Sequence, residues 1–167
     1  NGSIQKLYAE DTNLIIFQES KVSKSLIDKD AIYSAEGNAS VTSRNLVIGQ
    51  NVAFGGEYGI STDPESFAVN GYRKYFTDRD QNIVCRLSMD GITPISSFGM
   101  MDFFRDKLST AKVGGIIGGW DAHNKQYVVS ISGEQGVVRE TEYDTLSFDE
   151  SVKGWTSLFD YKPNQII

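Results

Sequence analysis

Short apolar runs broken by polar turns dominate the chain. Leu14-Ile15-Ile16-Phe17, the polar break Gln18-Glu19-Ser20-Lys21 and the resumption Val22-Ser23-Lys24-Ser25-Leu26-Ile27 predict a β-hairpin. A clearer one follows. Gly71-Tyr72-Arg73-Lys74-Tyr75-Phe76-Thr77 leads into the turn Asp78-Arg79-Asp80-Gln81-Asn82, after which Ile83-Val84-Cys85-Arg86-Leu87 alternates as a half-buried strand should. The Asp90-Gly91 pair turns the chain again into Ile92-Thr93-Pro94-Ile95, where proline marks an edge position. Those three strands predict an antiparallel meander. The same logic reappears in Val113-Gly114-Gly115-Ile116-Ile117-Gly118-Gly119-Trp120, the turn 121–126, and Tyr127-Val128-Val129-Ser130-Ile131. Asp78 and Asp121, one in each turn, are about 43 residues apart, the size of a four-stranded propeller blade. A weaker third copy is expected at Leu146–Phe148 and Gly154–Phe159, too soon after the second for a full blade, so the repeat is degenerate.

One segment departs from the strand pattern. Met100, Phe103, Phe104 and Leu108 recur at helical spacing behind Ser97, which predicts a short amphipathic helix near residues 99–108, capped by Ser97 and set between blades with its apolar stripe toward the core. The expectation is therefore a mainly β fold of antiparallel meanders and β-propeller-like blades with one short helix. Residues 1–167 read as a single all-β region, and the start at Asn1 without a basic or apolar leader leads us to expect a fragment or cleaved part of a larger β-propeller-containing polypeptide.

Composition supports strands. Val, Ile, Thr, Phe, Tyr and Trp together far outnumber Ala, Leu and Met. Sixteen Lys and Arg against 22 Asp and Glu give a net charge of −6, which speaks against a module held to nucleic acid by phosphate contacts. Much of the excess lies at residues 134–160, read as a solvated acidic rim. No apolar run is long enough to span a membrane. The single cysteine, Cys85, can form no disulfide within the chain and reads as a small core residue.

Candidate chemistry is sparse. His123, the only histidine, sits in a polar turn beside Asp121 and Asn124, and no Gly-x-Ser-x-Gly elbow accompanies it, so neither a serine triad nor a multi-histidine zinc site is expected. Asp78, Asp80 and Asn82 begin like a calcium loop, but Ile83 stands where glycine is needed and Met89 where glutamate is needed, leaving at most a loose cation site or, more simply, a hairpin turn. Gly114 to Gly119 matches no phosphate-binding fingerprint and reads as close backbone packing. Glu140 with Glu142, or Asp149 with Glu150, could flank a glycosidic bond, yet such pairs occur by chance among 22 acids. Asn38-Ala39-Ser40 is a formal glycosylation sequon. No catalytic, cofactor-binding or metal residue is assigned, and no cofactor is expected.

Residues 57–108 carry a more specific string: Glu57-Tyr58-Gly59-Ile60, Asp63-Pro64-Glu65-Ser66-Phe67-Ala68, Gly71 to Asp78, Val84-Cys85-Arg86-Leu87-Ser88, Asp90 to Ser96 and Gly99-Met100. Together with Val152-Lys153-Gly154-Trp155-Thr156-Ser157, it resembles large virion structural proteins of tailed bacteriophages, notably tail proteins of crAss-like and related marine phages, over most of residues 10 to 162. The resemblance implies a muzzle- or nozzle-type tail component without catalysis, located in the virion. Its implied partners are other copies of itself, in a homo-oligomeric ring, and other tail proteins. Trp120, Trp155, Tyr75 and Phe76 would then be core or interface anchors. The alternative is a carbohydrate-binding or glycan-degrading tail module, in which an exposed Trp120 or Trp155 would stack on sugar rings.

Overall fold

The computed structural model describes residues 1–27, 48–133 and 143–166. The protein is mainly β: the described residues form three four-stranded antiparallel sheets and one α-helix. The first sheet runs β1 (Ile4–Glu10), β2 (Asn13–Gln18), β3 (Val22–Ile27) and β4 (Ile48–Ala53). The second runs β5 (Ala68–Asn70), β6 (Arg73–Asp78), β7 (Ile83–Ser88) and β8 (Gly91–Pro94). The third runs β9 (Ala111–Asp121), β10 (Gln126–Gly133), β11 (Tyr143–Asp149) and β12 (Gly154–Phe159). In each, neighbours in sequence are neighbours in the sheet, a layout compatible with propeller blades.

Local chemistry accounts for the hairpins. Five turns open on one face of the molecule, and each holds a residue in the left-handed region: Asp11, Gly71, Gly91, Lys125 and Lys153. Glycine reaches that region without a Cβ penalty, and at Gly91 (φ 111°) only glycine does so readily. On the opposite face Asn82 (φ 59°) turns β6 into β7, a conformation asparagine tolerates through its short polar side chain.

The second sheet lies between the other two because both of its faces are apolar. Residues 74, 76, 83, 85 and 87 alternate toward the first sheet, where Phe76, Cys85 and Leu87 join Ile15, Phe17, Val22 and Ile60 in one cluster. Phe17 meets Phe67 and Phe76 edge-on at 5.2 and 5.3 Å. Burying a side chain of this size contributes about 2–3 kcal/mol. Lys74, almost fully buried, closes the junction by an ion pair to Glu10 at 2.5 Å. On the other face Tyr75 and Val84 join Ile116, Tyr127, Val129 and Phe148 of the third sheet. No core cluster joins the first and third sheets among the described residues.

The helix α1 (Met101–Ser109) fills the end of this second cluster. Phe104 and Leu108 are buried, with Met100 and Phe103 packed beside them, so the apolar stripe is a core seam as its spacing predicts. Phe104 meets Trp155 at 4.5 Å between ring centres. The start differs from expectation. Ser97 belongs to a 3-10 turn (Ile95–Ser97) and bonds back to Pro94 O; Met100 occupies the cap position without a side-chain hydrogen bond. The turn is supported instead by packing.

The expected third repeat also differs. Leu146–Phe148 and Gly154–Phe159 fall in β11 and β12, the third and fourth strands of the same sheet as β9 and β10, with Tyr127 opposite Phe148 and Val129 opposite Leu146. The short spacing is therefore that of two hairpins within one sheet. Pro94 ends the edge strand β8, where its missing N–H costs no ladder bond.

Candidate binding groove

The five hairpin turns on the shared face border a series of hollows. One of about 260 Å³ lies between the first two sheets and is walled by Glu10, Lys24, Tyr72, Lys74 and Met89. Two of about 440 Å³ each follow, the first beside Arg73, Arg86 and Asp90, the second between Asn70, Arg73, Trp120 and Glu150. Asn70 and Arg73 border both, so the two hollows adjoin each other at the junction of the second and third sheets, the latter forming a shallow groove beside Trp120.

Behind Trp120 lies a stacked row of aromatic rings. Tyr75, fully buried, stacks on Tyr127 at 4.9 Å and 10° and on Trp120 at 5.6 Å and 16°. Its hydroxyl donates to Glu150 at 2.9 Å, and Arg86 reaches the other carboxylate oxygen at 2.6 Å. Burial and the adjacent Glu150 carboxylate push the Tyr75 phenol far above its ordinary value, so it acts as a hydrogen-bond donor throughout the physiological range. Arg86 Nε is buried and finds no acceptor among the described residues. Trp120 is half-buried, with Tyr75 over one part of its indole and the groove beside another. The side chains of Asn70, Arg73 and Lys125 make no hydrogen bond or ion pair with the described residues.

Other residues singled out in the sequence have structural roles. Trp155 donates its indole N–H to Ile95 O at 3.1 Å and packs on Phe104 and Phe148. Phe76 and Cys85 are core, and burial drives the Cys85 thiol well above its usual range. His123 lies in an exposed turn in which Asp121 accepts the backbone N–H groups of His123 and Asn124, and hydrogen bonds from Asn124 above all hold the Asp121 carboxylate below its usual value. Asp149 is similarly lowered by the hydroxyl and N–H of Ser151, the opposite of what a general acid needs. Glu140, Glu142 and the sequon Asn38-Ala39-Ser40 lie outside the described residues.

Asp78 is committed to the fold. It accepts hydrogen bonds from Gly59 N at 2.9 Å, Ser61 Oγ at 3.1 Å and Gln81 N at 3.2 Å, tying the loop after β4 to the β6–β7 turn. Among the described residues no three metal-ligating side chains converge, at this turn or elsewhere. Desolvation nevertheless raises the Asp78 carboxyl above the ordinary 3.8. The folded state then holds this proton more tightly than the unfolded chain, so between 3.8 and the raised folded value stability falls as pH rises. Urea titrations of the wild type and Asp78→Asn at pH 3.5 to 6 are expected to show the wild type losing ground to the variant as pH increases. A wild-type advantage that grows with pH would contradict the assignment.

Within Gly114–Gly119 the close backbone packing is at Gly115 and Gly118, while a Cβ at Gly114 would meet open space. Gly118 lies against Ser66 O of the second sheet's 3-10 turn (Pro64–Ser66), and Gly114 N donates to the buried Asp63, which also holds Arg79 at 2.8 Å. Asn70, Arg73 and Arg86 escaped the sequence reading because nothing in their own neighbourhoods is unusual. Their significance comes from Trp120 and Glu150, which belong to a different sheet and a distant part of the chain. Among the described residues no helix is long and apolar enough to cross a membrane. No protein-family model matches the chain, and no curated protein matches it.

Proposed function

We propose that the chain is a structural component of a bacteriophage virion, part of a tail muzzle or nozzle ring, that works by packing against copies of itself and other tail proteins and has no catalytic role. One observation carries the packing part of this reading. The face of the first sheet turned away from the second bears Ile4, Leu7, Leu14 and Ile16, with Ile4 57% and Leu7 52% exposed. Further along that face Ser23 and Ser25 are buried, so the exposed apolar strip belongs to the edge strand β1, a surface suited to packing against another subunit. The resemblance of residues 57–108 and 152–157 to phage tail proteins supplies the virion part of the reading.

Two measurements test it. Quantitative mass spectrometry of purified particles is expected to find peptides around Tyr75 to Arg86 at a fixed small multiple of the portal, and their absence from particles sinks the proposal. In solution the chain is expected to associate with increasing concentration by light scattering, and the double variant Ile4→Lys with Leu7→Lys to remain monomeric at unchanged thermal stability. Both side chains are already mostly in water, so the substitutions have little folding energy to remove.

A further inference from the structure

We infer that the groove between the second and third sheets binds an oligosaccharide carrying carboxylate groups. This goes beyond the assembly role and does not depend on it. Sugar recognition requires a flat apolar surface for the C–H face of a pyranose, planar side chains with fixed hydrogen-bonding edges for its hydroxyls, and little motion on binding. The groove has each. The Trp120 indole is held in place by the Tyr75 ring at 5.6 Å, and Tyr75 is itself locked by Tyr127 and by its bond to Glu150, so the platform needs no ordering when a ligand arrives. Asn70 and Arg73 stand on the far wall with side chains uncommitted to the described residues, while Asn124, held by its own bond to Asp121 at 2.7 Å, borders the near wall.

Charge selects the class of sugar. Glu150 is neutralised by Arg86 at 2.6 Å, whereas Arg73 and Lys125 border the same hollow with no ion pair to the described residues. Asp149, also at the wall, stays ionised under its bonds from Ser151 and Gln126, so Arg73, Lys125 and Arg86 outweigh Asp149 and Glu150 by one positive charge. A guanidinium facing an open, partly apolar groove favours a carboxylate, which it can engage through two parallel N–H donors. The hollow of about 440 Å³ has room for one or two sugar rings. Trp155, the other tryptophan, cannot take this part because Phe104 and Phe148 pack on it and Ile95 takes its N–H.

The test uses the whole chain, a short uronate oligosaccharide and a neutral oligosaccharide of equal length. Titration is expected to quench tryptophan fluorescence with the uronate, to do so more weakly as salt is raised, and to leave the signal nearly unchanged with the neutral sugar. Trp120→Phe removes the quenching. Arg73→Gln, an exposed position with no partner to lose among the described residues, is expected to weaken uronate binding about tenfold at unchanged thermal stability. No quenching by the uronate, equal binding of the neutral sugar, or full affinity in Arg73→Gln each overturns the inference.

Discussion

Replacing Gly118 by alanine is expected to destabilise the protein by roughly 3–5 kcal/mol, enough to unfold much of it at room temperature. A Cβ built on Gly118 falls 2.2 Å from Ser66 O and 2.6 Å from the Tyr127 hydroxyl. The obstacle is backbone that cannot retreat. Ser66 closes its 3-10 turn through a bond to Asp63 O at 3.1 Å, and its hydroxyl both donates to Asp63 O at 2.8 Å and accepts Thr77 N at 3.0 Å. The variant must therefore push the second and third sheets apart and break the Tyr127 hydroxyl to Ser66 O bond of 2.8 Å. Two neighbouring substitutions calibrate the result. A Cβ at Gly119 falls 2.1 and 2.3 Å from Cγ2 and Cβ of Ile166, so the segment carrying Ile166 must shift but no sheet-to-sheet contact is broken, and one at Gly55 meets nothing within 4 Å. Urea denaturation should rank the losses Gly118→Ala, then Gly119→Ala, then Gly55→Ala near zero. A Gly118→Ala protein within about 1 kcal/mol of wild type, the loss of an average substitution, would mean that the two sheets are not in contact here.

Glu150→Ala is expected to cost about 3 kcal/mol and to lower the melting temperature by roughly 6–12 °C. Glu150 is the one side chain that satisfies both Tyr75 and Arg86, which come from adjacent strands of the other sheet. The side chains of Arg86 and Glu150 are 15% and 12% exposed, so water replaces the lost partner poorly. With Arg86 Nε already lacking an acceptor among the described residues, removal of the carboxylate leaves a mostly buried guanidinium with little compensation. Glu150→Gln keeps an acceptor for the Tyr75 hydroxyl and should lose less. Equal stability of Glu150→Ala and wild type would show that this network contributes nothing to the junction. Because Tyr75 also holds Trp120, the alanine variant should bind the uronate more weakly even at temperatures where it is fully folded.

Parts of this architecture are legible without coordinates because they depend on neighbours in the chain. Alternation from Ile83 to Leu87, with the Asp-Gly turn behind it, yields β7 and β8 directly. The spacing of Phe104 and Leu108 yields the buried side of α1. Ser97 misleads because a good capping residue at the right distance is equally good at closing a 3-10 turn on Pro94. β5 passes unnoticed because a strand from Ala68 to Asn70 is too short to show a period. The hairpin at Leu146 to Phe159 shows its turn but not its sheet. Spacing along the chain is the same whether β11 begins a new blade or pairs with β10, and only the ladder from Tyr127–Phe148 to Ser132–Tyr143 decides.

The candidate groove divides in the same way. Trp120 is conspicuous in the sequence, and Asp149 and Glu150 stand out as neighbouring acids. Both tryptophans are half-buried, and that Trp155 is covered by Phe104 and Phe148 with its N–H taken while Trp120 borders an open hollow follows only from what packs on each ring. Strand periodicity and turn chemistry are short-range properties, and on their own they determined a mainly β chain with a short helix between strands. Which hairpins share a sheet, which tryptophan borders the hollow, and that Glu150 answers Arg86 from a remote part of the chain are matters of long-range pairing. Only the tertiary structure decided them, because burial and desolvation exist only once the sheets have met.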